Sequence, residues 1–543
     1  MSAEKKQSFF GGAATLAAGI AIVKLIGALY KIPLGNILGD EGFGHFNNAY
    51  VIYNLLLMIS TAGLPVALSK TISEANALGR HNQVRRVFSV ALIAFLILGT
   101  VSSVVMFRFA GPLAAWQGDS LAVYAVKALA FSCLFVCAMS AFRGYAQGHS
   151  NMVPTAVSQI IEALFKLVVG LALAWYLVKI GKGSEISAAG AIFGVTVSGL
   201  FALLYLVFSH LRRQNALRGR DEPDGSGAIL ANLARIAIPI TLSSSIQPIT
   251  SYLDTVQVQT RLQSALGMTE TAAVSLYGAY QKAITIYNLP PSFMVALAAS
   301  VIPAVSAACA RRDRKSGGVL SESALRMAAL VAFPAGIGLA VLASPIMKLL
   351  YPSTNLEVAG PALAILGIAS IFVCIMLLGN SILQANGFVN LPIIVMFLGS
   401  IVKLSVNYYL VGQPEIGIKG APVGTLLCFS LIALLELVII KRVIPYAPRY
   451  GRVFVKPAAA ALIMGAAVRV FYSLLSRLLL AVGFATDAGA LSRIGNALGT
   501  FLAIGAGMIV YFALVLLLKA ISREDLDFVP KGEKIAKFLH ISK

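Results

Sequence analysis

The chain has 543 residues, of which 58% are hydrophobic and only 12% charged, with a formal net charge of +21 at pH 7. Ordinary soluble domains carry about 25% charged residues, so this composition excludes a string of soluble domains and points to a polytopic membrane protein with little soluble mass. The basic excess falls mostly in short loops between apolar runs, where lysine and arginine set topology, which argues against nucleic acid as a partner.

In chain order, runs of about 20 mostly apolar residues, the length that spans a bilayer, number fourteen: 10–34, 46–68, 87–110, 122–142, 153–178, 187–209, 230–253, 272–304, 325–350, 360–384, 391–411, 419–440, 456–481 and 495–519. The first run is too long for a signal-peptide core and has no clear small-residue cleavage site, so it is expected to be retained. Loops on the side of the N-terminus hold 20 lysines and arginines, among them Lys5, Lys6, Arg80, Arg218, Arg220 and Arg312. The opposite loops hold five: Lys179, Lys182, Arg261, Lys419 and Arg493. That bias places both termini in the cytoplasm. The tail 523–543 reads either as a short amphipathic helix or as a solvated end. Four of the five cysteines (Cys133, Cys137, Cys374 and Cys428, but not Cys309) lie in apolar runs and read as small buried hydrophobes.

The stretch from Phe142 to Lys166, FRGYAQGHSNMVPTAVSQIIEALFK, reads as a helix end, a tight turn and a helix start, with Pro154 where a first helical turn tolerates it. The same plan returns as NSILQANGFVNLPIIVMFLGSIVK, Asn380 to Lys403. Pro154 and Pro392 are 238 positions apart, as are Pro65 and Pro303, while Lys166 and Lys403, and Gln147 and Gln384, are 237 apart. An offset of six helices keeps both halves in one orientation, which makes them parallel repeats. The expected fold class is an all-α polytopic membrane protein of about 14 transmembrane helices, with two parallel six-helix repeats and two extra C-terminal helices. The domain reading is an N-terminal lobe 1–215, a cytoplasmic linker 216–229, a C-terminal lobe 230–443, two added helices 444–522 and the tail 523–543.

There is no Walker loop, GxSxG, HExxH or carboxylate pair on one helix, and His45, His81, His149, His210 and His540 read as loop or helix-end residues. Neither an enzyme nor a cofactor is expected. What remains is charge inside the membrane, about 2.5–3.5 kcal/mol per residue at a helix centre. Lys24 and Lys31 are seven residues apart and share one face of the first helix; Lys282, Lys403 and Glu436 stand in helices eight, eleven and twelve, with Asp254 and Arg261 near the outer end of helix seven. Glu162 and Lys166 are spaced i, i+4 and either neutralise each other or face a cavity. Lys31 either lines that cavity or snorkels to the interface. Arg143 is either a site residue or a topology signal, and Arg469 and Arg477 meet either headgroups or the lobes. A cavity lined by several cations and few anions suits a multivalent anion such as pyrophosphate. Asn47, Asn48 and Asn54 suit a sugar or peptide headgroup, or else form a polar helix start beside an interfacial aromatic belt.

The segment FRGYAQGHSNMVPTAVSQIIE, Phe142 to Glu162, supported by KLIGALYKIPLGNILGDEGFG, Lys24 to Gly44, and GLPVALSK, Gly63 to Lys70, resembles the multidrug/oligosaccharidyl-lipid/polysaccharide exporter superfamily. Within it the chain is most similar to the polysaccharide-biosynthesis branch that includes stage V sporulation protein B and Gram-positive lipid II flippases, over essentially all fourteen helices. The resemblance implies two six-helix lobes forming a V, alternating access in the bacterial plasma membrane, a central cationic cavity and a lipid-tail groove on the last two helices. It implies that Lys24, Lys31 and Lys282 grip a pyrophosphate; from the residues themselves, Lys166, Lys403 and Arg261 are expected to extend the positive field. Lysine in place of arginine keeps the charge and loses the bidentate fork. The acid that Gram-negative members carry early in helix two has no match among Phe46 to Asn54, which leaves Glu162, Asp254 and Glu436 as candidates for coupling to a Na⁺ or H⁺ gradient. The expected function is a flippase for an undecaprenyl-pyrophosphate-linked cell-wall precursor, lipid II foremost, working as a monomer. The alternatives are a flippase for another lipid-linked polysaccharide unit, a cation-coupled multidrug exporter, or a non-transporting envelope scaffold.

Overall fold

The computed structural model describes residues 9–213, 221–311, 313–444, 446, 448–484 and 491–521. Lys5, Lys6, Arg218, Arg220, Arg312 and the tail 523–543 therefore lie outside the described residues. In order, the helices are α1 (Phe9–Thr61), α2 (Leu64–Ala77), α3 (His81–Arg108), α4 (Ala110–Trp116), α5 (Val123–Gly148), α6 (Val153–Lys179), α7 (Ser184–Arg213), α8 (Ser226–Leu266), α9 (Glu270–Tyr287), α10 (Leu289–Ala310), α11 (Arg314–Val341), α12 (Ala343–Leu350), α13 (Leu356–Ala385), α14 (Asn390–Val411), α15 (Gly420–Val443), α16 (Tyr450–Ala481) and α17 (Arg493–Leu517). The described residues form an all-α membrane architecture, in which twelve helices are long and apolar enough to cross a bilayer.

That number differs from the fourteen apolar runs for local reasons. Runs 10–34 and 46–68 are joined in α1, interrupted at Gly39, whose φ of 71° and ψ of −166° suit a residue without Cβ. Run 272–304 is divided at Asn288, because Pro290 and Pro291 open α10 and disfavour helix in the residue before them. The short helix α4 follows α3, and α12 follows α11 at the same place in the second copy.

By packing, the chain divides into two compact units, Met1–Gly278 and Ala279–Lys543. In the first, α5 is the central helix and packs on α1, α2, α3 and α7. Its buried face is built from small residues, including Ala130, Cys133, Cys137, Ala141 and Gly144, which let neighbouring backbones approach closely where lipid supplies no hydrophobic drive. Larger side chains fill the space beside it, among them Tyr30, Leu34, Phe43, Phe46 and Ile192. Helix α8, which the repeat places at the head of the second half, packs on α1, α2 and α3. The packing boundary therefore falls inside α9, later than the repeat boundary. In the second unit α13 is central and packs on α10, α11, α12 and α15, while α16 and α17 pair and rest on α11 and α12. Apolar residues such as Ile509 and Phe512 on α17 are exposed, as suits a helix with hydrocarbon as its solvent.

The segment before α8 is tied to the start of α3. Asp221 accepts from the backbone N–H of Asn82 at 3.0 Å and Gln83 at 2.8 Å, Arg80 pairs with Asp224 at 2.9 Å, and Arg86 donates to Ser226 Oγ at 2.7 Å. Helix α3 has no side-chain cap from its own N-cap residue, Arg80; Asp221 satisfies two of its free N–H groups instead. Desolvation pushes the Asp221 carboxyl up, but the hydrogen bonds from Asn82 and Gln83, with its own backbone N–H and the charge of Arg80, hold the group below the ordinary aspartate value.

Candidate functional site

The α5–α6 hairpin organises the charged part of the first unit. Ser150 closes the turn with φ of 57°, and the Asn151 side chain accepts from the N–H of Val153 at 3.1 Å, fixing the entry to α6. Across the hairpin, Arg143 donates to Glu162 Oε2 at 3.1 Å and to Ser158 Oγ at 3.0 Å. The ion-pair partner of Glu162 is thus Arg143 on the neighbouring helix, not Lys166 one turn along its own. Both members are largely withdrawn from water, with exposures of 13% and 30%.

With Glu162 held by Arg143, Lys166 lies among aromatics. Its Nζ is 5.6 Å from the ring centre of Tyr30 and 5.8 Å from that of Tyr50, and the Tyr30 hydroxyl donates to Ala191 O at 3.2 Å, which anchors that ring to α7. A cation held over aromatic faces is stabilised by about 0.5–2 kcal/mol while keeping its N–H donors for a further acceptor. Lys166 is half-buried, as is Lys31 on α1. Lys24 also lies on α1, with its side chain outside the described residues. Arg261 is half-buried on α8 and Asp254 is buried on the same helix. Asn54 is half-buried, whereas Asn47 and Asn48 are buried. Asn47 donates to Phe43 O at 2.7 Å.

In the second unit Lys282, on α9, is 0% exposed with its Nζ 5.4 Å from the ring centre of Tyr351. A phosphate reaches that ammonium only when its surroundings move. Lys403 is half-buried on α14. It stands thirteen residues after the first residue of α14, as Lys166 stands thirteen after the first residue of α6, so the two lysines occupy one depth of the repeated helix. Glu436 on α15 is 1% exposed, lies over Gly379 of α13, and has no hydrogen-bond partner for either carboxylate oxygen.

One further group in the first unit is assembled from residues distant in sequence. His45, expected in a loop or at a helix end, lies inside the second segment of α1 and is buried against Asp119, which precedes α5. Asn48 does not stand free for a headgroup: it donates to Asp119 Oδ2 at 2.6 Å and exchanges hydrogen bonds with Gln259 of α8. The one local signal is Glu41, a helical turn before His45; Asp119 and Gln259 are 71 and 211 positions from Asn48.

Residues 10–309 match the family model described as polysaccharide biosynthesis protein. The chain is similar to the stage V sporulation protein B of Bacillus subtilis, 25% identical over 81% of this chain and 85% of that one. It is likewise similar to the lipid II flippase MurJ of Bacillus subtilis, 25% identical over 84% of this chain and 87% of the other. Among solved structures, the inward closed conformation of the lipid II flippase MurJ shares the fold with a TM-score of 0.69 at 13% identity, covering 92% of this chain and 98% of that one. The inward-facing conformation of a multidrug resistance transporter of the MOP superfamily gives a TM-score of 0.63 at 16% identity, covering 77% and 96%.

Proposed function

The chain belongs to the polysaccharide biosynthesis protein family, and from that premise we propose that it is a flippase carrying an undecaprenyl-pyrophosphate-linked cell-wall precursor, lipid II foremost, from the cytoplasmic to the outer leaflet. It is a multi-pass membrane transporter and not an enzyme. The observation that carries the substrate class is Lys166: a half-buried ammonium deep in a membrane-spanning helix, held over Tyr30 and Tyr50, with the nearby acid already engaged by Arg143. Such a cation is costly in hydrocarbon unless an anion visits it. The pyrophosphate of a lipid-linked sugar is an anion that arrives from the membrane itself.

Lys166 and its repeat mate Lys403, with Lys24, Lys31, Lys282 and Arg261, form the set of cations that would meet the diphosphate as the protein alternates between access states. Lysines hold it as point charges, without the fork of arginine, which suits a substrate that must be released. The helices α16 and α17 would guide the polyprenyl tail, and the bias of basic residues towards the loops on the N-terminal side supports cytoplasmic termini. An ion gradient or the membrane potential supplies the energy, with Glu162, Asp254 and Glu436 as the coupling candidates. Of these, Glu436 is the strongest on geometry, since Glu162 is engaged by Arg143.

The test is reconstitution into liposomes with labelled lipid II and, in parallel, with other polyprenyl-linked sugars. Lipid II is expected to cross in a protein-dependent way that Lys166→Ala reduces. Passage of a different lipid-linked unit would reassign the cargo, and passage of none would overturn the flippase reading.

A further inference from the structure

At one end of the first unit, where α1 turns at Gly39, α7 begins and α8 ends, four side chains form a buried polar chain. His45 is 1% exposed, and Asp119, Asn48 and Gln259 are 0% exposed. His45 Nδ1 donates to both oxygens of Asp119, at 2.7 and 2.9 Å. Asp119 also accepts from Asn48 Nδ2 at 2.6 Å and from the N–H of Ala122 at 3.1 Å. Asn48 and Gln259 exchange hydrogen bonds with each other, which carries the chain onto α8. The other ring nitrogen of His45, Nε2, is buried without a hydrogen bond and sits 3.6 Å from Glu41 Oε1, whose side chain is 35% exposed. Two residues before Asp119, Gln117 is 0% exposed with both amide atoms unpartnered.

We propose that Glu41, His45 and Asp119 form a proton-binding relay that admits a proton from the surface to a buried carboxylate and so controls how α8 is seated on α1. The imidazole faces a carboxylate with each of its two nitrogens, one carboxylate open to water and one sealed. A proton arriving on Glu41 passes to Nε2 of His45 as the Nδ1 proton passes to Asp119. Glu41 returns to carboxylate, the imidazole ends neutral in its other tautomer, and one proton has moved inward. Asp119 is then neutral, its new O–H donating back to Nδ1, so its oxygens accept from Asn48 and Ala122 as uncharged acceptors and the tie through Asn48 to Gln259 loosens. Among the charged groups on the elements packed around the relay are Asp40 and Glu41 on α1, Lys127 on α5, Glu185 on α7, the buried Asp254 and Arg261 on α8, and Glu270 on α9, whose carboxylate accepts from the N–H and hydroxyl of Ser120. On the loop-charge orientation this end faces outward, where external protons are available.

The relay concerns a proton and not the lipid cargo, and its test uses no substrate, so it stands or falls separately from the flippase reading. The chain has two tryptophans, and one of them, Trp116, is next to Gln117 and makes an edge contact with Tyr252 of α8 at 5.9 Å. In a Trp175→Phe background, Trp116 alone reports on the seat of α8. Purified full-length protein in nanodiscs, titrated from about pH 8.5 to about pH 5, is expected to show a one-proton fluorescence transition. Asp119→Asn should abolish it. His45→Gln, which keeps a donor for Asp119 but does not exchange protons, should abolish it too. Glu41→Gln, a half-exposed change with little risk to folding, should shift or slow it. A transition unchanged in Asp119→Asn and Glu41→Gln, or the absence of any transition in the parent protein, overturns the proposal.

Discussion

The two copies of the repeated hairpin handle their acid in opposite ways. In the first, Arg143 on α5 and Glu162 on α6 form a pair at 3.1 Å. At the same offset that joins Lys166 to Lys403, the second copy has Asn380 in place of the arginine and Gly399 in place of the acid. An acid nevertheless reaches the same turn of the central helix, from a different direction: Glu436 comes from α15 and lies over Gly379 of α13, with no hydrogen-bond partner for its oxygens. The lysine is retained at one depth in both copies, while the acid has changed helix and lost its guanidinium. Duplication fixed where the cation stands and left free how each half compensates or exploits a carboxyl.

The largest test of this contrast is stability. Glu162→Gln removes one member of a mostly buried pair and leaves a guanidinium uncompensated, which costs about 2 kcal/mol once partial exposure is allowed for. Thermal unfolding in detergent should show the loss, and adding Arg143→Gln should recover part of it. Full stability in the single variant would break the contrast from the first-copy side.

The next effect is on transport. Lys166→Ala removes a charge-assisted contact and should lower apparent affinity for the lipid-linked anion about tenfold, near 1.4 kcal/mol. Lys166→Arg should restore most of it. Comparison with Lys403→Ala in the same liposome assay shows whether the two copies share the anion or one of them dominates.

Glu436→Gln should change unfolding by less than about 1 kcal/mol, because an amide replaces a carboxyl that makes no hydrogen bond with its oxygens. The same substitution is expected to change the dependence of transport on an imposed ion gradient. A stability loss matching that of Glu162→Gln would mean that Glu436 is held by a partner as Glu162 is.

The smallest effect belongs to the acid at the surface. The folded-state value of Asp221 is depressed by the hydrogen bonds from Asn82 and Gln83, so its contribution to docking the segment is present above the ordinary aspartate range. That contribution is lost as pH falls through the depressed value. Limited proteolysis within residues 221–225 with an acid-active protease should accelerate at that point, and Asp221→Asn should reduce the pH dependence without moving global unfolding.

Much of this was legible in the residues themselves. Apolar length and cationic loops announce membrane helices, because each helix must satisfy its own backbone in lipid. The doubling shows in Pro154 and Pro392, and in Lys166 and Lys403, because a helix start and an intramembrane charge are expensive enough to leave a mark at single positions. The joining of the first two runs at Gly39 and the splitting of α9 from α10 were blurred, since hydropathy is the same on both sides of a kink.

Partnership was not legible. Nothing near Glu162 in sequence selects Arg143 over Lys166, which is one turn away and equally charged; the packing of α5 on α6 makes that choice. Asp119 becomes a functional candidate only when a distant stretch of α1 brings His45 and Asn48 to it, 74 and 71 positions away. Lys282 reads as a mid-helix cation from sequence, and only the fold places it 0% exposed beside Tyr351. The sequence by itself determined the all-helical membrane class, the duplicated plan and the depth of its lysines, because these follow from hydrophobicity and local backbone chemistry. Which acid is paired, which is sealed alone and which is joined to the surface by a histidine was decided by tertiary structure, because hydrogen bonds and ion pairs act over a few ångströms and only packing brings distant residues that close.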